Sequence, residues 1–145
     1  MNINKIVQQL GIKAKIASFK LSNINSDIKN KALKTSKDII LSSISELLEI
    51  NKKDIDHALK NNLSTSMIDR LTLNKDRIES IALSLDEIIK LEDPVGRIIA
   101  EWKRPNGLHF QKISVPIGVI GIIYESRPNV TVDASAISIK AGNAV

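Results

Sequence analysis

The sequence predicts an α/β protein in which N-terminal helices lead into a β-hairpin arm and then into the start of a parallel sheet. Three observations indicate this fold. Apolar residues recur at helical spacing up to residue 92, glycine and proline become frequent after Pro94, and an apolar β-branched run at 119–124 precedes a helix-like segment. The 145 residues, 43% of them hydrophobic, suffice for one domain with a buried core, so we treat 1–145 as one unit.

Three helices are expected before residue 63. The first has an apolar face over residues 3–17, repeating about every 3.6 residues. The second, which is longer, begins after the N-cap residue Asn25 and carries its apolar face as far as Leu48. The third is short and covers residues 51–62.

Two further helices complete the helical part at 1–92, with Ser64 and Asn74 as their candidate N-caps. The apolar positions of the second of these are Ile78, Ile81, Ala82, Leu85, Ile88 and Ile89. Helical structure is expected to stop at Asp93, because the residue before a proline is pushed out of the α region.

A β-hairpin is expected over residues 101–115. Its two strands flank the turn Pro105–Gly107, and an Asn-Gly pair supplies the positive φ that tight hairpin turns need. Trp102 and Phe110 are interpreted as packing partners within this hairpin rather than as groups that stack on a ligand.

Residues 116–145 are typical of the start of a βαβ unit. Val119–Tyr124 is a continuous apolar run, as expected of a strand buried on both faces. Residues 129–141 form a helix that Gly142-Asn143 ends in a left-handed conformation. Ala144-Val145 then begins a second strand, so we expect the front part of a larger, truncated α/β domain.

Composition excludes several kinds of function. The chain has no cysteine, which rules out thiolate metal sites and a cysteine nucleophile within it. Its two histidines match no zinc spacing, so no metal is expected.

Charge and hydropathy exclude two further kinds of partner. The net charge of +5 lies in scattered lysines of residues 1–62. These residues hold one aromatic residue and no arginine, so nucleic-acid binding is not expected. The longest uncharged stretch, residues 113–124, is too short to span a membrane, and the first ten residues lack a signal peptide's apolar core. We therefore expect a cytoplasmic protein.

The loop Glu125–Asn129 is the strongest candidate for a site. It follows the predicted strand at the edge where open α/β sheets bind ligands, and it precedes a helix whose first N–H groups attract anions. Arg127 offers a planar fork of donors suited to a phosphate or a carboxylate. The alternative is a surface loop in which Arg127 pairs with Glu125 or Asp133.

Several motifs after residue 90 carry a resemblance to a known family. They are EDPVG at 92–96, EW at 101–102, RPNGL at 104–108, VPIGVIGIIYESRPNVT at 115–131 and KAGNAV at 140–145. They resemble the glutamate-5-semialdehyde dehydrogenases, also called gamma-glutamyl phosphate reductases, of the aldehyde dehydrogenase superfamily. The string YESRPNVT at 124–131 separates this family from ordinary aldehyde dehydrogenases, and the helices before residue 91 are compatible with its N-terminal region.

The resemblance implies a reaction and an architecture. The family reduces L-glutamyl 5-phosphate to L-glutamate 5-semialdehyde and phosphate with NADPH, in the second step of proline biosynthesis. A cysteine thiolate attacks the acyl phosphate, and that cysteine lies beyond residue 145, so this segment alone is expected to be inactive. The family fold has a Rossmann-like cofactor domain, which residues 1–145 begin, and a β-hairpin arm, matched by 101–115, through which a homo-oligomer is expected.

Site residues are expected in the loop and at Lys140. Arg127 is expected to bind the anionic substrate or a cofactor phosphate. Asn129 is expected to bind the substrate and to donate a hydrogen bond to the developing oxyanion, as an asparagine of the wider superfamily does, with capping of the next helix as its alternative role. Contacts with NADP(H) are expected from Tyr124, Glu125, Ser126 and Lys140. Lys140 has an alternative role at its helix end, where a cation suits the helix dipole.

Two other functions remain open at the level of sequence. The chain is alternatively a non-catalytic oligomerisation or interaction module from a split or decayed gene. It is also compatible with another acyl-phosphate or aldehyde reductase of the same superfamily.

Overall fold

Six helices and one antiparallel pair of strands make up residues 2–145, the part of the chain that the computed structural model describes. The helices are α1 (Ile3–Leu21), α2 (Ser26–Ser42), α3 (Ile44–Lys60), α4 (Thr65–Leu71), α5 (Lys75–Lys90) and α6 (Pro128–Lys140). The strands are β1 (Ile98–Lys103) and β2 (His109–Ile113). Among the residues described, no helix combines the length and the apolar character needed to cross a membrane.

Three helices begin at the predicted cap residues. The side-chain oxygens of Asn25, Ser64 and Asn74 accept hydrogen bonds from backbone N–H groups three residues later, at 3.0, 3.4 and 2.7 Å. Each bond satisfies one of the N–H groups that a helix N-terminus leaves unpaired. The predicted starts of α2, α4 and α5 are therefore confirmed.

The single long helix predicted between Asn25 and Leu48 is wrong. α2 ends at Ser42 and α3 begins at Ile44, because Ser43 leaves helical geometry with φ −99° and ψ 12°. The Ser42 hydroxyl donates to the Ile39 carbonyl, and such local bonds compete with the helix's own backbone bonds. The third helix consequently begins seven residues earlier than predicted.

The apolar core lies where α5 packs between α2 and α6. Its buried members are Leu33, Leu85, Ile88 and Ala136, with Ile40, Ile89 and Val132 packed against them. Four of the six predicted apolar positions of α5 are buried, namely Ile78, Ala82, Leu85 and Ile88. The apolar residues of α1 are mostly exposed, so α1 contributes little to this core.

An ion pair between the buried Lys29 and the half-buried Asp93 ties α2 to the segment after α5. The Lys29 ammonium donates to both oxygens of Asp93, at 3.1 and 2.8 Å, and also lies 3.4 Å from the Lys140 carbonyl at the end of α6. Asp93 accepts a further bond from the Val95 N–H. Burial acts to raise the pKa of Asp93, but the hydrogen bonds from Lys29 and Val95, together with the lysine charges, outweigh it and hold the pKa below its ordinary value.

The hairpin and its predicted turn at Pro105–Gly107 are confirmed. The loop spans these three residues, and within it Gly107 has the positive φ, 87°, and donates its N–H to the Arg104 carbonyl. Trp102 and Phe110 are paired across the strands, and their rings stack with centroids 5.6 Å apart, as predicted. All residues of both strands are exposed.

The predicted buried strand at 119–124 is present only as one parallel bridge between Val119 and Ala144. The Ile120 N–H donates to the Ala144 carbonyl and the Ala144 N–H to the Gly118 carbonyl, both at 2.9 Å. The predicted burial on both faces is wrong, since Ile123 is fully exposed and Val119 and Ile122 are partly so. Within residues 2–145 this segment has one backbone neighbour, and no layer covers its outer face.

Asn51 fixes the corner between α4 and α5 from the side of α3. Its buried amide donates to the Leu71 carbonyl at 2.9 Å and accepts from the Leu73 N–H at 2.7 Å. We expect Asn51→Ala to lower the free energy of unfolding by about 1–3 kcal/mol, because it leaves two partly buried backbone groups without hydrogen-bond partners. Urea unfolding measures this loss. Asn61→Ala, which removes an exposed amide bonded to the His57 carbonyl, is the control and should change stability by less than about 0.5 kcal/mol. Equal losses for the two variants would contradict this assignment.

Candidate functional site

The loop before α6 has an uncommon backbone. Ser126 has a positive φ of 52°, which a residue other than glycine rarely adopts. Arg127 follows in an extended conformation at the N-cap position, and Pro128 opens α6, where its missing N–H costs nothing. This turn directs the chain from the parallel bridge into α6 and sets Arg127 at the helix N-terminus.

Arg127 and Asn129 lie together on a cavity of about 390 Å³ between the α4–α5 corner and the start of α6. Its polar lining consists of Asp69, Arg70, Thr72, Arg77, Ser80, Arg127 and Asn129. Three of the chain's five arginines therefore meet at one cavity. The two residues predicted to bind substrate are brought together.

The predicted alternative for Arg127, an ion pair with Glu125 or Asp133, does not form among the described residues. Asp133 instead accepts hydrogen bonds from the Ser84 hydroxyl, at 2.9 Å, and from the Asn129 amide, at 3.2 Å. The guanidinium of Arg127 thus keeps its donors. Its binding of an anion stays a prediction.

Asn129 does not cap α6, which was its alternative role. The N-cap position belongs to Arg127, and the side chain of Asn129, the second residue of α6, donates to the Asp133 carboxylate one turn later. One amide proton is used in that bond, and an asparagine amide has a second. The predicted donation to an oxyanion is not tested by this arrangement.

The residues predicted to contact a cofactor are not brought together. Tyr124 lines a second, apolar groove of about 690 Å³ between α1, residues 119–122 and α6, where its hydroxyl is hydrogen-bonded to that of Thr131. Glu125 and Ser126 line neither cavity. The loop therefore separates two surfaces, a basic one on the Arg127 side and an apolar one on the Tyr124 side.

Lys140 lies at the far end of α6, about 18 Å along the helix from Pro128. Its ammonium is buried and donates to the Asn30 side-chain oxygen at 2.7 Å and to the Ile89 carbonyl at 3.0 Å. These bonds join α6 to α2 and α5. The structure gives Lys140 a role in packing and does not bring it to the loop.

Arg70 and Arg77 are site residues that the sequence analysis did not single out. They stand more than 45 residues before Arg127, on helices whose packing against α6 no local pattern specifies. Residues 2–145 hold no group of three or more histidine or acidic side chains placed to bind a metal ion.

The chain is similar to proteins named gamma-glutamyl phosphate reductase. No family model matches the chain. The gamma-glutamyl phosphate reductase of Brucella suis biovar 1 is 51% identical over 144 residues, which are 99% of this chain and 34% of that protein. The gamma-glutamyl phosphate reductase of Halothermothrix orenii is 48% identical over 145 residues, 100% of this chain and 35% of that protein. The chain corresponds to the N-terminal third of the gamma-glutamyl phosphate reductases.

Solved structures agree with this assignment. The gamma-glutamyl phosphate reductase of Thermotoga maritima matches with a TM-score of 0.87 and 41% identity, over 90% of this chain and 32% of that one. The gamma-glutamyl phosphate reductase of Saccharomyces cerevisiae matches with a TM-score of 0.89 and 32% identity, over 94% of this chain and 35% of that one. The resemblance drawn from the motifs is confirmed. The chain spans about a third of the length of the gamma-glutamyl phosphate reductases it matches.

Proposed function

We propose that this chain is the N-terminal part of a cytoplasmic enzyme that reduces L-glutamyl 5-phosphate to L-glutamate 5-semialdehyde and phosphate, with NADPH, in proline biosynthesis. The observation that carries the proposal is the 51% identity to a gamma-glutamyl phosphate reductase over 99% of the chain. The 144 aligned residues span the loop before α6. The basic cavity beside that loop agrees with a doubly anionic substrate.

Arg127 is the proposed contact to the substrate. L-glutamyl 5-phosphate carries a carboxylate and an acyl phosphate, and a guanidinium binds either group with two parallel hydrogen bonds. Arg127 has free donors and lies on the cavity. Asn129 lies beside it and keeps one amide proton for the oxygen that becomes negatively charged during acyl transfer.

NADPH, when bound, supplies the hydride for the reduction. The groove lined by Tyr124 fits only a part of this cofactor, because its walls are apolar and, among the described residues, Lys13 is the one charged side chain that lines it. We propose that Tyr124 and Thr131 contact the uncharged nicotinamide ring. The cofactor phosphates are then left to parts of the enzyme outside this cavity.

The 145 residues contain no cysteine, so they contain no thiolate to attack the acyl phosphate. We propose that they do not reduce the substrate alone. The hairpin is the proposed oligomerisation arm, since β1 and β2 are exposed throughout and present the stacked Trp102 and Phe110.

Arg127→Gln in the full-length protein is expected to lower kcat/KM for L-glutamyl 5-phosphate by about tenfold to a hundredfold, since a charge-assisted hydrogen bond is worth about 1.5–3 kcal/mol. Steady-state oxidation of NADPH, followed by absorbance, measures this. Arg97→Gln, at the base of the hairpin, is the control and should leave kcat/KM unchanged. A full-length protein that reduces no L-glutamyl 5-phosphate would overturn the proposed function, and so would reduction by the cysteine-free 145 residues alone.

A further inference from the structure

The cavity that holds Arg127 is lined by two further arginines to which the proposed function gives no role. Its lining has the guanidinium groups of Arg70, Arg77 and Arg127, against the single carboxylate of Asp69. These arginines come from α4, α5 and the N-cap of α6, so only the folded chain assembles them. The volume of about 390 Å³ is within the range of sites for small molecules, roughly 300–1,000 Å³.

Arg77 is committed to holding the structure together. Its guanidinium donates to the backbone carbonyls of Asp69 and Thr72 and to the Asp69 carboxylate, which lies 3.0 Å away. These bonds hold the end of α4 against the start of α5. The positive charge of Arg77 also neutralises the Asp69 carboxylate, the acidic group among the described residues that line the cavity. Arg77 therefore positions the end of α4, where Arg70 stands.

Arg70 differs from Arg77 in that its side chain has no hydrogen-bond or ion-pair partner among residues 2–145. Neither Arg70 nor Arg127 forms an ion pair among the described residues, and their side chains are exposed at the same cavity. Two guanidinium groups of like charge beside one cavity repel each other, and an anion bound between them relieves that repulsion.

We infer that Arg70 is a second anion-binding residue, which acts with Arg127 to hold an oxyanion of a small-molecule ligand, either a carboxylate or a phosphate. The inference rests on the proposed function, because it names a further part of the binding site for that substrate. Arg70 on α4 and Arg127 at the N-cap of α6 both line the cavity, so an oxyanion bound there receives hydrogen bonds from both guanidinium groups. The neighbouring Ser80 hydroxyl lines the same cavity and adds a neutral donor.

The test is an NMR titration of the 145-residue chain labelled with ¹⁵N-arginine, whose five side-chain Nε signals are assigned by single substitutions. Inorganic phosphate and L-glutamate are added separately. We expect the Arg70 and Arg127 signals to move together with one apparent affinity, while those of Arg97 and Arg104, on and beside the hairpin, stay in place. A response to phosphate alone assigns the pocket to the phosphoryl end of the substrate, and a response to glutamate alone assigns it to the carboxylate end.

Two substitutions sharpen the result. Arg70→Gln should weaken binding of the responsive anion by about tenfold or more at unchanged thermal midpoint, and Arg70→Lys should restore part of the affinity without the bidentate geometry. Movement of the Arg127 signal without that of Arg70, or of neither, overturns the inference. If Arg70→Gln does not fold, the titration of the unsubstituted chain decides alone. Failure of the proposed function is seen separately, as a full-length protein that does not reduce L-glutamyl 5-phosphate.

Discussion

Replacing Lys29 with methionine is expected to lower the free energy of unfolding by about 3 kcal/mol, the lower end of the range for a broken buried pair, because it leaves the half-buried Asp93 carboxylate without its counter-charge. The Lys29 side chain is 1% exposed and that of Asp93 is 17% exposed, so little water is present to replace the lost bonds. Methionine matches the length and apolar stem of lysine. The loss therefore reports the ion pair rather than a cavity.

Urea unfolding of the 145-residue chain measures the effect. Lys53→Met is the matched control, since the Lys53–Glu49 pair is exposed on α3 and should contribute less than about 0.5 kcal/mol. The double variant Lys29→Met, Asp93→Asn should recover part of the loss, because a neutral amide oxygen still accepts from the Val95 N–H. A Lys29→Met chain as stable as the Lys53→Met control would contradict the assignment.

The same pair gives stability a defined pH dependence. The folded-state pKa of Asp93 is held below the value of about 3.9 that an unfolded chain shows. Its contribution is therefore fully present above about pH 4–5 and is lost as the pH falls through the lowered pKa. The stability difference between the unsubstituted chain and Asp93→Asn should accordingly be constant from pH 5 to 7 and shrink below pH 4.

Gly142→Ala is expected to lower the free energy of unfolding by about 2–4 kcal/mol. Gly142 has a φ of 72°, and an added Cβ would lie 2.9 Å from the Pro116 ring and 3.1 Å from a Val95 methyl. The left-handed conformation costs an alanine about 1–2 kcal/mol, and overpacking against a rigid proline ring adds about 1–3 kcal/mol. The substitution therefore strains the turn that connects the end of α6 to the parallel bridge at Ala144.

Gly11→Ala is the control for this second substitution. Gly11 lies inside α1 with nothing within 4 Å of a new Cβ, so an alanine there should leave stability unchanged or raise it by up to about 1 kcal/mol. Thermal unfolding of both variants, followed by circular dichroism, checks the pair. A Gly142→Ala chain that unfolds at the same temperature as the unsubstituted chain would contradict the prediction. It would show that the Pro116 and Val95 side chains can move aside without a loss of stability.

Local features of the fold were predictable because a few neighbouring residues determine them. Asn25, Ser64 and Asn74 cap their helices with bonds that reach only three residues along the chain. The stacking of Trp102 on Phe110 follows from the register of one hairpin. The break at Ser43 was missed because the apolar spacing continues through it, although the chain turns there to form two helices.

Long-range features were not predictable from patterns. Lys29 and Lys140 are charged residues that a sequence pattern places on the surface, yet tertiary hydrogen bonds bury both. The loop and Arg127 were recognised from a contiguous motif. Arg70 was not, because it reaches the site through the packing of α4 and α5 beside α6.

The Lys29 network also constrains the order in which a nascent chain can finish folding. Lys29 meets Asp93 across 64 residues and the Lys140 carbonyl across 111, so neither bond exists while the corresponding segment is still in the ribosome. Bringing such distant positions together costs more loop-closure entropy than forming a local contact. The Lys29 ammonium therefore depends for its burial on partners that are synthesised 64 and 111 residues later.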